Sequence, residues 1–183
     1  MVCRLDSPPN RPMTANPLAW PFRWQMLFGA LASLALVAYA YFWVQQRMLL
    51  MPCPLCVFQR IAFCGMALVG LVAAAHDPKG ATGRRGYGLL AFVVAMVGAA
   101  IAARHVWIQS LPPDLAPSCN SLGLEYMVGV MPLADVVREV LTGSGECAKV
   151  DWTWLGLAMP AWTLVCFVAL GLGALVAGFR ARR

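Results

Sequence analysis

The chain has 183 residues, 61% of them hydrophobic and only 12% charged, with 14 Lys and Arg against 8 Asp and Glu for a net charge of +6. Mean hydropathy is +0.69, whereas soluble domains carry roughly 25% charged residues. This charge is too sparse to cover a water-facing surface, which argues against a cytosolic enzyme and excludes a disordered polypeptide. The composition is that of a small polytopic membrane protein.

Residues 1–23, with Pro8, Pro9, Pro12, Pro17 and Pro21, read as a tail ahead of the first apolar segment. Trp24 to Gln46 then runs without a charge, long enough to cross a hydrocarbon core of about 30 Å at a rise of roughly 1.5 Å per residue. Ala38-Tyr39-Ala40 is similar to a cleavage site, but the apolar run continues through Tyr41, Phe42 and Trp43 and exceeds a signal-peptide core, so the segment is expected to stay as a span. Three more stretches qualify. The spans are expected at about 24–45, 55–75, 86–105 and 161–179, with connectors 46–54, 76–85 and 106–160 and a tail 180–183. None alternates strictly between apolar and polar residues, which favours helices over barrel strands. Nine of the 14 basic residues fall in 1–23, 76–85 and 180–183, which places both termini and the middle connector in the cytoplasm. The positive charge thus reads as a topology signal, and nucleic acid is not expected as a partner.

The long connector holds six of the eight acidic residues. Within it Leu133, Val136, Val137, Val140 and Leu141 follow helical spacing, with Asp135, Arg138 and Glu139 opposite. Such a helix is too short to span; it lies in the membrane interface or packs on the end of the bundle. The fold class is therefore an all-α membrane protein, a four-transmembrane-helix bundle with a short interfacial helix in its second outer loop.

Chemistry concentrates at the outer end. Cys53-Pro54-Leu55-Cys56 stands where the first outer connector meets the second span. This spacing closes a dithiol/disulfide ring; zinc also uses it, but a structural zinc site needs four ligands and the sequence has no second CxxC. No metal is expected. Pro54 has no N–H to donate to a nearby sulfur. Arg60 follows Cys56 by four residues and shares its helix face. An arginine inside an apolar span needs a partner or a function; it is read either as favouring the Cys56 thiolate and binding a ligand carbonyl, or as snorkelling to headgroups. Arg104 and His105 close the third span. There His105 is either a ligand or proton-relay group or a wet interfacial residue, and Arg104 has the stronger claim to snorkelling. Cys119 and Cys147 lie in the long loop beside Pro112, Pro113 and Pro117, and Gly143-Ser144-Gly145, respectively. These flanks suggest mobile, accessible chain suited to disulfide exchange; the alternative is a structural staple. Cys3, Cys64 and Cys166 form no system, Trp107, Trp152, Trp154 and Trp162 fit an interfacial belt, and Gly171, Gly173 and Gly178 suit close helix packing.

Four spans, Cys-Pro-Leu-Cys-Val-Phe-Gln-Arg at residues 53–60, the loop cysteines, and Trp-Leu-Gly-Leu-Ala-Met-Pro-Ala-Trp at 154–162 together resemble the DsbB family over about residues 23–179. In that family oxidising power passes from quinone through DsbB to DsbA in the periplasm. The resemblance implies a bacterial inner-membrane protein with periplasmic cysteines that reoxidises a DsbA-like thiol oxidase and reduces ubiquinone or menaquinone. It implies that Cys56 contacts the quinone and Cys53 exchanges with the loop pair. Cys119 then forms the mixed disulfide with the partner, and Cys147 passes electrons to Cys53. Arg60 matches the arginine that assists quinone binding, and His105 a quinone-proximal histidine. The competing readings are a specialised or vitamin K epoxide reductase-like relative with a dedicated partner, and a non-catalytic scaffold stapled by disulfides.

Overall fold

The computed structural model describes residues 20–112, 124–143, 145–150 and 152–180. Among the described residues, four helices are long and apolar enough to cross a membrane. The first, α1 (Phe22–Tyr39), runs on into a π-helical segment (Ala40–Arg47); α2 is Pro54–His76, α3 Ala81–Gln109. Short helices α4 (Leu124–Val130), α5 (Leu133–Thr142) and α6 (Gly145–Ala148) follow, then a two-stranded hairpin, β1 (Thr153–Trp154) and β2 (Leu157–Ala158), and the last long helix α7 (Met159–Phe179).

Helix α3 begins at Ala81, so Arg84 and Arg85, placed by sequence in the middle connector, form its first turns. Positive residues do not end a helix; they only end the apolar run by which its length was read. Helix α2 stops at Asp77, which caps it in the left-handed conformation with φ 40°.

The bundle is up-down-up-down. Helix α1 packs on α2, α2 on α3 and α3 on α7, and α7 closes the ring against α1. Because lipid is as apolar as leucine, close contact rather than water exclusion joins such helices, and small residues make the seams. A Cβ on Gly88 would lie 2.9 Å from Gly178 Cα, so the α3 and α7 backbones touch there. Gly171 likewise faces the Ala95 methyl, but Gly173 has nothing near it and makes no seam. Large side chains such as Leu31, Phe42, Ile61, Leu68, Val93 and Leu172 point outward, as expected where the solvent is hydrocarbon.

The interior has three layers. Phe22, Met26, Ala73, Ala74 and Ala177 fill the end at which the chain enters. Phe63 and Phe167 stack at the middle with centroids 3.9 Å apart. Cys53, Leu55, Ile108, Met127, Val136, Val140 and Cys147 close the other end. Helix α5 forms where its periodicity put it, and Val136 and Val140 are buried in that end layer while Leu133 and Leu141 stay exposed. Part of its apolar face therefore packs on the bundle.

Candidate functional site

Among the described residues, Cys53, Cys56 and Cys147 gather at the end layer. Cys53 is the residue capping the N-terminus of α2, and Pro54 occupies the first helical position, where its fixed φ is preorganised and its missing N–H is no loss. The following turn brings Cys56 back over Cys53, and their Sγ atoms lie 3.1 Å apart. Both sulfurs thus sit at the positive end of the α2 dipole. A disulfide needs about 2.05 Å between sulfurs, so bond formation takes a movement of roughly 1 Å with no change of fold.

His105, in the penultimate turn of α3, is 2% exposed. It is no wet interfacial residue: Nε2 lies 3.8 Å from Cys53 Sγ, and Nδ1 lies 4.0 Å from Cys56 Sγ and 3.2 Å from Gln59 Nε2. The two sulfurs and the imidazole place three ligand atoms within 4.8 Å of one another. A structural zinc site takes a fourth, and none joins them among the described residues.

Arg60 lies one turn deeper than Cys56. Its guanidinium donates to Gln45 Oε1 at 2.7 Å and to the Ala40 carbonyl at 3.3 Å. Both acceptors, one side-chain amide and one backbone carbonyl, belong to the π-helical segment, a form that recurs at functional sites. The head is thus tied to the bundle instead of reaching for lipid headgroups, and these contacts use two of its five N–H groups. Cys56, Gln59, Arg60, Phe63, His105 and Trp162 line one cavity of about 180 Å³.

Cys147 contradicts the expectation of an accessible position. The glycines around it suggested mobile chain, yet it is 1% exposed, in the same layer as Cys53 and Leu55. The reason is how α3 holds the segment. Arg104 donates to the carbonyls of Leu141 and Thr142 at 3.0 and 3.2 Å and stacks over Trp107 at 4.2 Å. Those carbonyls end α5 and lack helical partners. Gln109 donates to the Lys149 carbonyl at 3.2 Å. Arg104, read as a snorkelling residue, is thereby one of two pins on either side of Cys147. Cys119 lies outside the described residues.

The Trp154–Trp162 motif forms a structural corner. Leu155 and Gly156 take positive φ of 51° and 78°, as the two central residues of a tight primed turn require. Trp162 Nε1 donates to the Trp154 carbonyl at 3.0 Å, with the rings 5.0 Å apart. This turn sets where α7 starts and hence where Thr163 meets Gln59.

With this geometry in place, comparison with known sequences is decisive. The family described as "Disulfide bond formation protein DsbB" matches residues 22–177. The chain belongs to the DsbB family. It is 51% identical over 168 residues, 92% of this chain and 96% of the other, to the Disulfide bond formation protein B of Xanthomonas euvesicatoria pv. vesicatoria (strain 85-10). It is 52% identical over 167 residues, 91% of this chain and 96% of the other, to the protein of the same name from Xanthomonas campestris pv. campestris (strain 8004). Identity to the Xylella fastidiosa (strain Temecula1 / ATCC 700964) protein of that name is 45%, over 92% of this chain and 96% of the other. This DsbB-family chain is a disulfide-forming oxidoreductase of the membrane.

Sequence reasoning missed Gln45, Gln59 and Thr163. For Gln59 a signal existed: a polar residue in an apolar span three positions after Cys56. For Thr163, 104 residues away from it, only the fold could supply one.

Proposed function

We propose that this protein reoxidises a periplasmic DsbA-like thiol oxidase and delivers the electrons to a membrane quinone, ubiquinone or menaquinone. It does so as a multi-pass protein of the bacterial inner membrane with both termini cytoplasmic. The observation that carries the reading is the convergence of the Cys53/Cys56 pair, Arg60 and His105 on one cavity, with Cys147 buried in the layer that contains Cys53.

The cavity suits a quinone head. Pockets for drug-sized ligands measure about 300–1,000 Å³, so a space of about 180 Å³ suits a one- or two-ring quinone head and leaves a prenyl tail to the lipid. Cys56 and Arg60 are the residues to hold the head, a thiolate as electron donor and a guanidinium N–H for a carbonyl oxygen, with His105 lining the cavity beside them. Bound there, a quinone would supply a two-electron, two-proton acceptor that draws the relay in one direction.

The remaining steps belong to the chain's own residues. Cys119 resolves with the partner's thiols, Cys147 attacks Cys53 in the Cys53–Cys56 disulfide, and Cys56 leaves as thiolate facing the cavity. Arg60, already anchored by Gln45 and Ala40, places fixed positive charge where negative charge develops. Release of Cys147 from its two pins gives the segment its travel.

The test is to purify the protein in detergent, add a reduced DsbA-like thiol oxidase, and follow quinone absorbance for wild type and Cys56→Ser. Loss of the quinone signal in wild type alone supports the reading. Absence of turnover with either quinone, in protein whose cysteines are correctly oxidised, refutes it.

A further inference from the structure

Beyond the cysteines, the site holds a buried polar chain that the cysteine relay leaves unused. Gln59 is 4% exposed and His105 2%, and buried polar groups must find partners. Thr163 Oγ1 lies 2.6 Å from Gln59 Oε1, Gln59 Nε2 lies 3.2 Å from His105 Nδ1, and His105 Nε2 lies 3.8 Å from Cys53 Sγ. These contacts cross from α7 through α2 to α3 and end at a reactive sulfur.

The distances fix the direction of the chain. A separation of 2.6 Å falls within the O–H···O range of about 2.5–3.0 Å and short of the N–H···O range of about 2.7–3.2 Å. The Gln59 oxygen therefore faces Thr163 and accepts its hydroxyl proton, and the amide nitrogen faces the ring. Thr163 Oγ1 also lies 2.8 Å from the Pro160 carbonyl oxygen. Giving that carbonyl the single hydroxyl proton would leave the 2.6 Å contact either between bare oxygens or as an over-short contact to an amide nitrogen. An amide N–H₂ only donates, so Nδ1 must present its lone pair, and the proton of the neutral ring is on Nε2.

We propose that Gln59, held by Thr163, is a positioning residue that fixes His105 in the Nε2–H tautomer and so presents a hydrogen-bond donor to Cys53 Sγ. This rests on the exchange role given to Cys53 above. In the mixed disulfide Cys53–Cys147, the Cys119 thiolate, released when the partner's second thiol displaces it from the partner's mixed disulfide, attacks Cys147 Sγ. A Cys119–Cys147 bond forms, the Cys147–Cys53 bond breaks, and the electron pair stays on Cys53 Sγ as a thiolate. The Nε2–H receives that charge. Atoms and electrons balance within the three cysteines, and no proton or outside oxidant enters the step.

The chain has only two histidines, and the other, His76, sits at the far end of α2 against Tyr87. Protein labelled with ¹⁵N-histidine and carrying His76→Asn therefore gives one imidazole spectrum. The expected spectrum has Nδ1 unprotonated and Nε2 protonated. Gln59→Glu, whose carboxylate only accepts, moves the proton to Nδ1 and slows resolution of the Cys53–Cys147 disulfide by about tenfold, the loss of one charge-assisted hydrogen bond. Thr163→Val, a gentler change, mixes the tautomers, and Thr163→Ser restores one. A wild-type proton on Nδ1, or a tautomer indifferent to both Gln59→Glu and Thr163→Val, overturns the proposal; so does a tautomer that moves while the resolution rate stays fixed. The nitrogen spectrum needs no turnover, so failure of the quinone assay leaves it readable and the two ideas fail separately.

Discussion

Gly98→Ala tests whether the seam between α3 and α7 is as tight as the geometry says. A Cβ at residue 98 would stand 2.4, 2.5 and 2.8 Å from Phe167 Cε1, Cζ and Cδ1. Ordinary carbon contacts are about 3.5–4.0 Å, so the overlap is about 1 Å along one edge of the ring. The ring has no retreat: Phe167 is fully buried and stacked on Phe63 at 3.9 Å with 11° between planes. Overpacking a filled core costs about 1–3 kcal/mol, and the absence of free space puts this substitution near the upper value. At about 2–4 °C per kcal/mol for a chain of this size, the loss is roughly 6–12 °C in the midpoint of thermal unfolding, followed by helical circular dichroism in detergent. Gly173→Ala, with nothing within 4 Å, is the matched control and should not move the midpoint. Phe167→Leu removes the ring edge, so the double variant should recover part of the loss, a non-additivity expected only of groups in contact. Gly98→Ala unfolding within about 2 °C of wild type, or a strictly additive double variant, refutes the packing argument.

Arg60→Ala should raise the apparent KM for quinone by about tenfold or more, the scale of a lost charged hydrogen bond, with little change in the amount of folded protein; unchanged quinone kinetics would remove Arg60 from the site. Arg104→Gln unpins one side of the Cys147 segment, so alkylation of Cys147 in the reduced protein should quicken by at least about tenfold, while Cys64 reacts as before; equal Cys147 rates would deny Arg104 that task. Cys147→Ser should trap a disulfide between Cys119 and the partner thiol oxidase, and accumulation through Cys53 instead would show the outer pair to be misassigned. Gly156→Val forces a branched side chain into a φ of 78°, a cost of about 1–3 kcal/mol, and should shift the tryptophan emission by separating Trp154 from Trp162; an unchanged spectrum would mean the turn is not what holds them.

The sequence by itself determined what depends on local composition and short spacing. Long apolar runs must be helices wherever water cannot satisfy the backbone, so four spans were legible from their length and apolarity alone. The three-residue step of Cys53 and Cys56 and the four-residue step to Arg60 are fixed by one helical turn, so their shared face was legible too. The period of Leu133–Leu141 gave α5, but periodicity names an apolar face without saying what covers it. Only the tertiary structure decided that Val136 and Val140 share a buried layer with Cys147, contrary to the mobility its glycines suggested. Glycine lowers the barrier to movement but does not oppose burial, and the Arg104 and Gln109 hydrogen bonds hold the segment down. The same holds for His105. A histidine closing an apolar span reads from sequence as either a ligand or proton-relay group or a wet interfacial residue, since nothing local shows that Cys53, Cys56 and Gln59 surround it. The Gln59–Thr163 contact spans 104 positions and exists because the hairpin at Leu155–Gly156 sets the start of α7. Pairings between distant helices depend on how their surfaces interlock, and that information resides in no single stretch of chain.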